Sequence, residues 1–312
     1  MEFYSLNGFP TYTDDFYWRE LSDNSDKAIV IHNPQDAHTR SQFYPHSTKT
    51  LEEHIEYIQV HGVKSAIIVA DDISFLKNCT SLEKIMVFPS ASAVDFDYSP
   101  LYALPNIKWL QCETVYGKND EKVAEIDYSH FPNLERVLIG EGKNLNIQKA
   151  QNVSILHFYS VRKEKSIAGK IPPAVREFSI TDSSTQSLDG IEAAKQIFEL
   201  KLQYNRSLRD ISSLKKVKDT LKFLEIYNCG KIDDFSVLHE LSNIEVLHLM
   251  GNNKIESLSF LEKMPKLRFL KLTMNVLDGD LTLCTKIPYV YVQNRKHYSH
   301  NNEELPKDNI CL

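Results

Sequence analysis

A regular spacing of apolar residues near the C-terminus constrains the fold more than any other feature of this sequence. Three segments, starting at Leu221, Ile244 and Leu267, follow one another every 23 residues and read L-x-x-L-x-L. The ninth position of these segments holds Cys229, Asn252 and Asn275, and we expect short polar side chains there to satisfy buried backbone groups where the chain turns off the strand. A unit of this length can bury its apolar face only against neighbouring copies, so the pattern predicts a stacked repeat protein.

The same frame extends over most of the chain. Further frames start at Val63, Leu82, Ile107, Leu134, Val153, Val175, Ile197 and Ile287. The eleven frames contain 33 defining positions and all 33 are apolar, in a chain that is 42% hydrophobic. We therefore predict an N-terminal cap over residues 1–62, a solenoid of about eleven repeats over residues 63–294, and a polar C-terminal tail over residues 295–312.

The predicted cap has its own elements. Residues 28–31 read as a strand, and residues 50–58 read as an amphipathic helix that ends at Gly62. Leu51, Ile55 and Ile58 form one face of this helix. At the other end of the chain, the tail after Arg295 is polar, and we expect it to cover the last repeat loosely or to fray.

The repeats resemble those of leucine-rich repeat proteins, and their length of about 22 residues is similar to the SDS22-like and internalin-like subclass. The resemblance covers residues 63–294. It implies an α/β fold, a leucine-rich repeat solenoid that is a right-handed superhelix with a concave parallel β-sheet and short helices or 3-10 turns on the convex side. Residues 235–241 and 258–264 have the apolar spacing expected of such return segments.

Composition excludes several classes of protein. The net charge is −6, with no strongly basic face, so we expect no nucleic-acid partner. The longest apolar runs are a few residues long, so we expect no membrane insertion. Five cysteines without a C-x-x-C pair predict reduced thiols. Met1–Ser5 carries no basic or apolar signal region, and we therefore expect a cytoplasmic protein.

Motifs that would indicate catalysis are incomplete. Gly140–Lys143 lacks the remainder of a phosphate-binding loop, and the pair Tyr159 and Lys163 lacks a glycine fingerprint before it. His297 and His300 have no third ligand at metal-binding spacing. We therefore predict a non-enzyme with no cofactor, no metal and no small-molecule substrate.

Function is then expected on the concave sheet, where the third, fifth and seventh residues of each frame face outward. The residues predicted to bind a partner are Phe223, Tyr227, Val246, His248, Met250, Phe269, Tyr289 and Tyr291 in the last repeats, with Phe88, Trp109 and Tyr159 in earlier ones. Aromatic residues and Met are typical of interface anchors. The alternative is that these side chains only stack on one another and shield the sheet.

Two functions fit this surface. The first is a cytosolic scaffold that holds or inhibits a protein partner, and an immunity protein or inhibitor is its sharper version. The alternative is a cell-surface adhesin of the internalin-like type, if a signal peptide precedes the sequence. The sequence does not identify the partner.

Overall fold

The computed structural model describes residues 2–6, 9–13, 28–33, 49–89, 96–112 and 125–309. They fall into two compact units, residues 1–152 and residues 153–312, called here the N-terminal and C-terminal units. The boundary between them does not coincide with the end of the cap predicted at residue 62. Cys311 lies outside the described residues.

The N-terminal unit is built on a mixed sheet. Its elements are β1 (Glu2–Leu6), β2 (Phe9–Thr13), β3 (Ala28–Asn33), α1 (Leu51–His61), β4 (Ser65–Ala70), β5 (Lys84–Pro89), β6 (Trp109–Cys112), β7 (Glu125–Asp127), β8 (Arg136–Ile139) and β9 (Lys143–Leu145). Strands β1, β2 and β3 pair in antiparallel fashion, and β3, β4, β5, β6 and β8 then pair in parallel. A separate parallel pair joins β7 to β9.

Local chemistry defines helix α1 at both ends. Thr50 caps its start, because the Thr50 hydroxyl accepts from the amide of Glu53 and the Glu53 carboxylate accepts from the amide of Thr50. Gly62 ends it in the left-handed conformation, with φ of 59°. Ile58 is fully buried. The strand predicted at residues 28–31 and this helix are both confirmed.

The C-terminal unit has a regular parallel sheet. Its strands are β10 (Ile155–Tyr159), β11 (Glu177–Thr181), β12 (Glu199–Gln203), β13 (Phe223–Tyr227), β14 (Val246–Met250), β15 (Lys254–Ile255), β16 (Phe269–Leu272), β17 (Asn275–Val276) and β18 (Tyr289–Val292). The sheet order is β10, β11, β12, β13, β14, β16 and β18, while β15 pairs with β17. Across both units, all eleven predicted frames contain a strand that begins two residues after the frame starts.

The return segments of the C-terminal unit are 3-10 turns, such as Ser236–Glu240 and Ser259–Lys263. Turns of this kind were one of the two forms that the apolar spacing predicted. Several of these turns bury aliphatic or aromatic residues, as Ser259–Lys263 does with Phe260 and Leu261. The unit therefore has the strand, turn and return segment of a leucine-rich repeat.

Polar side chains just after the strands satisfy buried backbone groups. The Asn205 amide is fully buried and donates to the carbonyl of Ile180 at 2.6 Å, while its oxygen accepts from the amide of Ser183 at 3.0 Å. The prediction is wrong by one residue at Asn252, which is exposed. The neighbouring Asn253 is buried instead and donates to the carbonyl of Cys229 at 3.0 Å.

The C-terminal tail is attached rather than frayed, as far as residue 309. The Tyr298 hydroxyl donates to the carbonyl of Met274 at 3.1 Å and accepts from the amide of Val276 at 3.0 Å. The amide of Val290 donates to the carbonyl of Pro306 at 3.0 Å, and Leu305 is buried. These contacts cover the last strand, which explains how the apolar end of the stack avoids water.

In the parts of the chain that the structure describes, no helix is both long enough and apolar enough to cross a bilayer.

Candidate functional site

The strands of the C-terminal unit alternate between a core face and an outer face. In β12, Leu200 and Leu202 are buried in the core, while Glu199, Lys201 and Gln203 are half-buried on the other side. This is the period-two pattern of a sheet with one face in the core. We call the outer face, which carries the third, fifth and seventh residues of the seven C-terminal frames, the ladder face.

An apolar row crosses the last four main strands on this face. Phe223, Val246, Phe269 and Tyr289 are register partners on β13, β14, β16 and β18, and together they are called the aromatic ladder. The rings of Phe269 and Tyr289 stack with centroids 4.9 Å apart and an angle of 4°. Val246 is buried, whereas the three aromatic residues are half-buried. Part of the ladder is therefore internal packing, and part of it faces outward.

A hydrogen-bonded pair of Glu225 and His248 lies next to the ladder. Nδ1 of His248 is 2.9 Å from Oε2 of Glu225, and the His248 ring lies between the rings of Phe223 and Phe269, 5.1 and 5.3 Å from their centroids. Gln203 donates a short hydrogen bond to the second oxygen of Glu225. His248, predicted as a partner-binding residue, is thus committed to contacts within the sheet.

The environment of Glu225 has opposing effects on its pKa. Burial alone raises the pKa of the carboxyl. Hydrogen bonds from His248 and Gln203, together with the charges of His248 and Lys201, outweigh burial and hold the pKa below its ordinary value of 4.5. Glu225 is therefore a carboxylate at neutral pH, held by donors on both sides.

Aromatic residues flank the ladder in more exposed positions. Tyr291 on β18 is 41% exposed, and Tyr159 on β10 is 37% exposed. Tyr204, just after β12, is also 41% exposed, and its ring packs edge-on against that of Tyr227 at 4.8 Å. Met250 is half-buried at the end of β14. Large amphipathic rings that keep about two-fifths of their surface in water are suited to contact with another molecule.

A groove runs along the edge where the strands of this sheet begin. It has a volume of about 520 Å³ and is lined by Arg176, Phe198, Glu199, Lys222, Phe223, Glu245, Val246, His248 and Arg268. Five of these are second-position residues of consecutive frames, whose backbones hydrogen-bond in sequence along the edge. We call this feature the edge groove. The sequence interpretation missed it because only the third, fifth and seventh positions were considered to face outward.

The edge groove combines an apolar floor with charges on its rim. Glu245 pairs with Lys222 at 3.0 Å and with Arg268 at 3.5 Å. The guanidinium of Arg176 lies over the ring of Phe198, 5.3 Å from its centroid, in a cation–π arrangement. Among the described residues no carboxylate pairs with Arg176, so the rim has an excess of positive charge.

Besides Val246, two further predicted partner-binding residues are buried. Phe88 and Trp109 are 4% and 3% exposed, and they belong to a buried cluster with Ala28, Val30, Ile67, Val69 and Met86. The predicted exposure of Phe88 and Trp109 is therefore wrong. The sheet of the N-terminal unit is buried on both faces here, as the uninterrupted apolar run in β4 could have indicated.

The described residues contain neither a cluster of metal ligands nor a thiol with a lowered pKa. No three His, Cys, Asp or Glu side chains among them are grouped as metal ligands would be. Burial raises the pKa of the Cys79 and Cys229 thiols to about 11, and burial together with the charge of Asp280 raises that of Cys284 to about 12. These thiols stay protonated at neutral pH, so they are poor nucleophiles.

Comparison with known proteins supports the fold. No protein-family model matches the sequence, and no curated protein sequence does. Among solved structures, an internalin (inlF) from Listeria monocytogenes str. 4b F2365 is similar, with a TM-score of 0.53 and 14% identity over 94% of this chain and 89% of that one. The functional domain of InlJ from Listeria monocytogenes, which includes a cysteine ladder, has a TM-score of 0.50 and 15% identity over 78% of this chain and 51% of that one. The chain has a leucine-rich repeat fold.

Proposed function

We propose that this chain is a non-enzymatic scaffold that binds another protein through the ladder face of the C-terminal unit. The observation that carries the proposal is the group of aromatic rings on a regular sheet, with Tyr204 and Tyr291 each 41% exposed beside the half-buried Phe223 and Phe269. A monomeric surface rarely presents so many aromatic residues together, and Tyr and Phe are enriched in the centres of interfaces.

The dimensions of this surface suit a protein partner. Neighbouring strands are separated by about 4.8 Å, so the four strands of the aromatic ladder span roughly 15 Å. A standard interface buries about 800 Å² on each partner, and a patch of this width can form its centre. The few cations on the ladder face do not favour a nucleic acid, since Lys201 is already paired with Glu199.

Affinity capture with matched variants tests the proposal. The tagged chain is used to capture proteins from the cell in which it is made naturally, and captured proteins are identified by mass spectrometry. Tyr291→Glu and Phe269→Glu should each abolish capture of a specific partner, because both place a charge in the apolar patch. Lys263→Glu, at an exposed position in a 3-10 turn, should capture as well as the unaltered chain. Capture of the same partner by both Tyr291→Glu and Phe269→Glu would contradict the proposal.

Two refinements belong to the same proposal. We place the scaffold in the cytoplasm, which is supported by four buried cysteine thiols without a disulfide in the described residues. Holding a partner inactive, as an inhibitor or immunity protein does, requires only the binding surface described here. An internalin-like adhesin would use the same surface, so cell fractionation distinguishes the two: recovery on the cell surface would overturn the cytoplasmic placement.

A further inference from the structure

The edge groove has the chemistry to define one part of the partner. Its apolar lining residues are Phe198, Phe223 and the largely buried Val246, and Nζ of Lys201 lies 5.4 Å from the centroid of the Phe223 ring. The lining crosses five consecutive strands from Arg176 to Arg268. Four strand spacings of about 4.8 Å give this row a length of roughly 19 Å. An extended segment of about six residues, at roughly 3.3 Å per residue, fits that length.

The charges along the rim are not balanced. Lys222 and Arg268 both pair with Glu245, and Arg176 contacts the Phe198 ring without any carboxylate partner among the described residues. The fifth charged lining residue, Glu199, is paired with Lys201. The lining therefore carries three cations and two carboxylates, so it favours an incoming carboxylate, above all at Arg176, over an incoming cation.

We propose that the edge groove binds an extended acidic segment of the protein partner, in which carboxylates flank one bulky apolar side chain. Alternate residues of an extended segment point to the same side, so an acidic, a bulky apolar and a second acidic residue, each separated by one residue, all face the groove. The apolar side chain lies on Phe198, Phe223 and Val246. One carboxylate lies at Arg176, and the second lies about 13 Å further along the extended segment, on the Arg268 side of the groove. This inference rests on the proposed function and names the chemistry of the partner.

A synthetic peptide tests the groove directly, with the full chain as receptor. The probe is acetyl-Ser-Glu-Ser-Phe-Ser-Glu-Ser-amide, followed by shifts of amide NMR signals in the isotope-labelled chain. We expect saturable binding with a Kd of roughly 0.1–1 mM, because a short peptide gains few contacts. The same peptide with Lys in place of Glu, or Ala in place of Phe, should bind at least several-fold more weakly. Equal binding of the Glu and Lys peptides would overturn the inference.

Variants of the chain locate the binding. Arg176→Glu should weaken binding of the Glu peptide by roughly five- to tenfold, because it reverses the charge at this position. Arg176→Gln should weaken binding by less, because it only removes the charge. Lys263→Glu makes the same change of charge at an exposed position outside the groove and should leave the affinity unchanged. Arg176 is exposed, so both variants should keep the native amide spectrum. Unchanged affinity in Arg176→Glu would overturn the inference.

The two proposals can fail separately. If the natural partner is lost with Phe269→Glu but retained with Arg176→Glu, the ladder face binds a partner and the acidic segment in the groove is wrong. If neither variant affects capture, the proposed function itself is wrong. Loss of capture in both variants, with weaker peptide binding in Arg176→Glu, supports both.

Discussion

Glu225 and His248 lie side by side on adjacent strands, with Oε2 of Glu225 2.9 Å from Nδ1 of His248, and both side chains are largely shielded from water. The pair is located within the proposed binding surface, between the rings of Phe223 and Phe269. It therefore couples the stability of the sheet to the position of the aromatic ladder. A substitution at Glu225 or His248 should therefore affect the packing of the aromatic ladder as well as the pair itself.

The first prediction concerns the stability of the fold at acidic pH. The pKa of Glu225 is lower in the folded chain than its ordinary value of 4.5, so its stabilising effect is complete above that value and is lost as the pH falls through the folded-state pKa. Glu225→Gln should lower the free energy of unfolding near neutral pH by about 1–3 kcal/mol. Urea denaturation should show this difference in unfolding free energy narrowing as the pH falls below 4.5 and through the lowered folded-state pKa. A difference in unfolding free energy between the two proteins that stays constant or grows on acidification would contradict the prediction.

The second prediction separates core from surface along β14. Leu247 and Leu249 are fully buried, and either change to Ala should cost about 2–5 kcal/mol. The repeat frame places the intervening His248 on the outward face, which by itself predicts a nearly neutral change to Ala. The structure corrects this, because His248→Ala removes a donor from the buried Glu225, and we now expect a loss of about 1–3 kcal/mol.

A double-mutant cycle checks that reason. In the Glu225→Gln background, the carboxylate is already absent, so His248→Ala should cost less than it does in the unaltered chain. Chemical denaturation of the four proteins gives the coupling between the two residues. Equal costs in both backgrounds would show that the pair does not interact energetically.

The third prediction concerns packing within the ladder. Phe269 stacks on Tyr289 with almost parallel rings, so Phe269→Ala should lower the free energy of unfolding by about 0.5–1.5 kcal/mol for the lost ring contact, in addition to the lost burial of its half-buried side. Tyr291 is 41% exposed and makes no ring contact with another described residue. Tyr291→Ala should therefore lower the free energy of unfolding by less than Phe269→Ala does. Thermal unfolding of the two variants measures the difference. A larger loss for Tyr291 would assign structural packing to the exposed ring instead.

The fourth prediction concerns the turn after β14. Gly251 has φ of 125°, and an added Cβ would lie 2.9 Å from Oδ1 and 3.1 Å from the amide nitrogen of Asn228. Gly251→Ala should therefore destabilise the fold by about 1–3 kcal/mol. Gly230, with no atom within 4 Å of an added Cβ, is the matched control, and Gly230→Ala should be close to neutral in the same urea titration. A neutral Gly251→Ala would mean that the turn relaxes freely.

The fifth prediction concerns the buried amide of Asn205. Asn205→Ala leaves the carbonyl of Ile180 and the amide of Ser183 without their partner in a buried position. Each unsatisfied group costs about 1–3 kcal/mol, so this substitution should be among the most damaging outside the aliphatic core. The exposed Asn252 is the control, and Asn252→Ala should change stability little in equilibrium denaturation. Similar losses for the two variants would contradict this assignment.

The sequence by itself determined the repeat frame and the strands. The first, fourth and sixth positions of each frame form a local apolar pattern, and this pattern located the eleven strands that lie within the frames. It also assigned the core residues Leu247 and Leu249 and the register of Phe223, Val246 and Phe269. These features follow from residues near one another in the chain, because the inward and outward directions along a strand alternate with a fixed period.

Only the tertiary structure decided what happens on the second face of the sheet. The same outward positions are half-exposed at Phe269 and Tyr289 but buried at Phe88 and Trp109, because burial on that face depends on segments distant in sequence. The edge groove depends in the same way on residues of five different repeats, brought together by the hydrogen bonds between strands. A periodic sequence predicts the direction in which a side chain points, whereas long-range packing determines whether that side chain contacts water or protein.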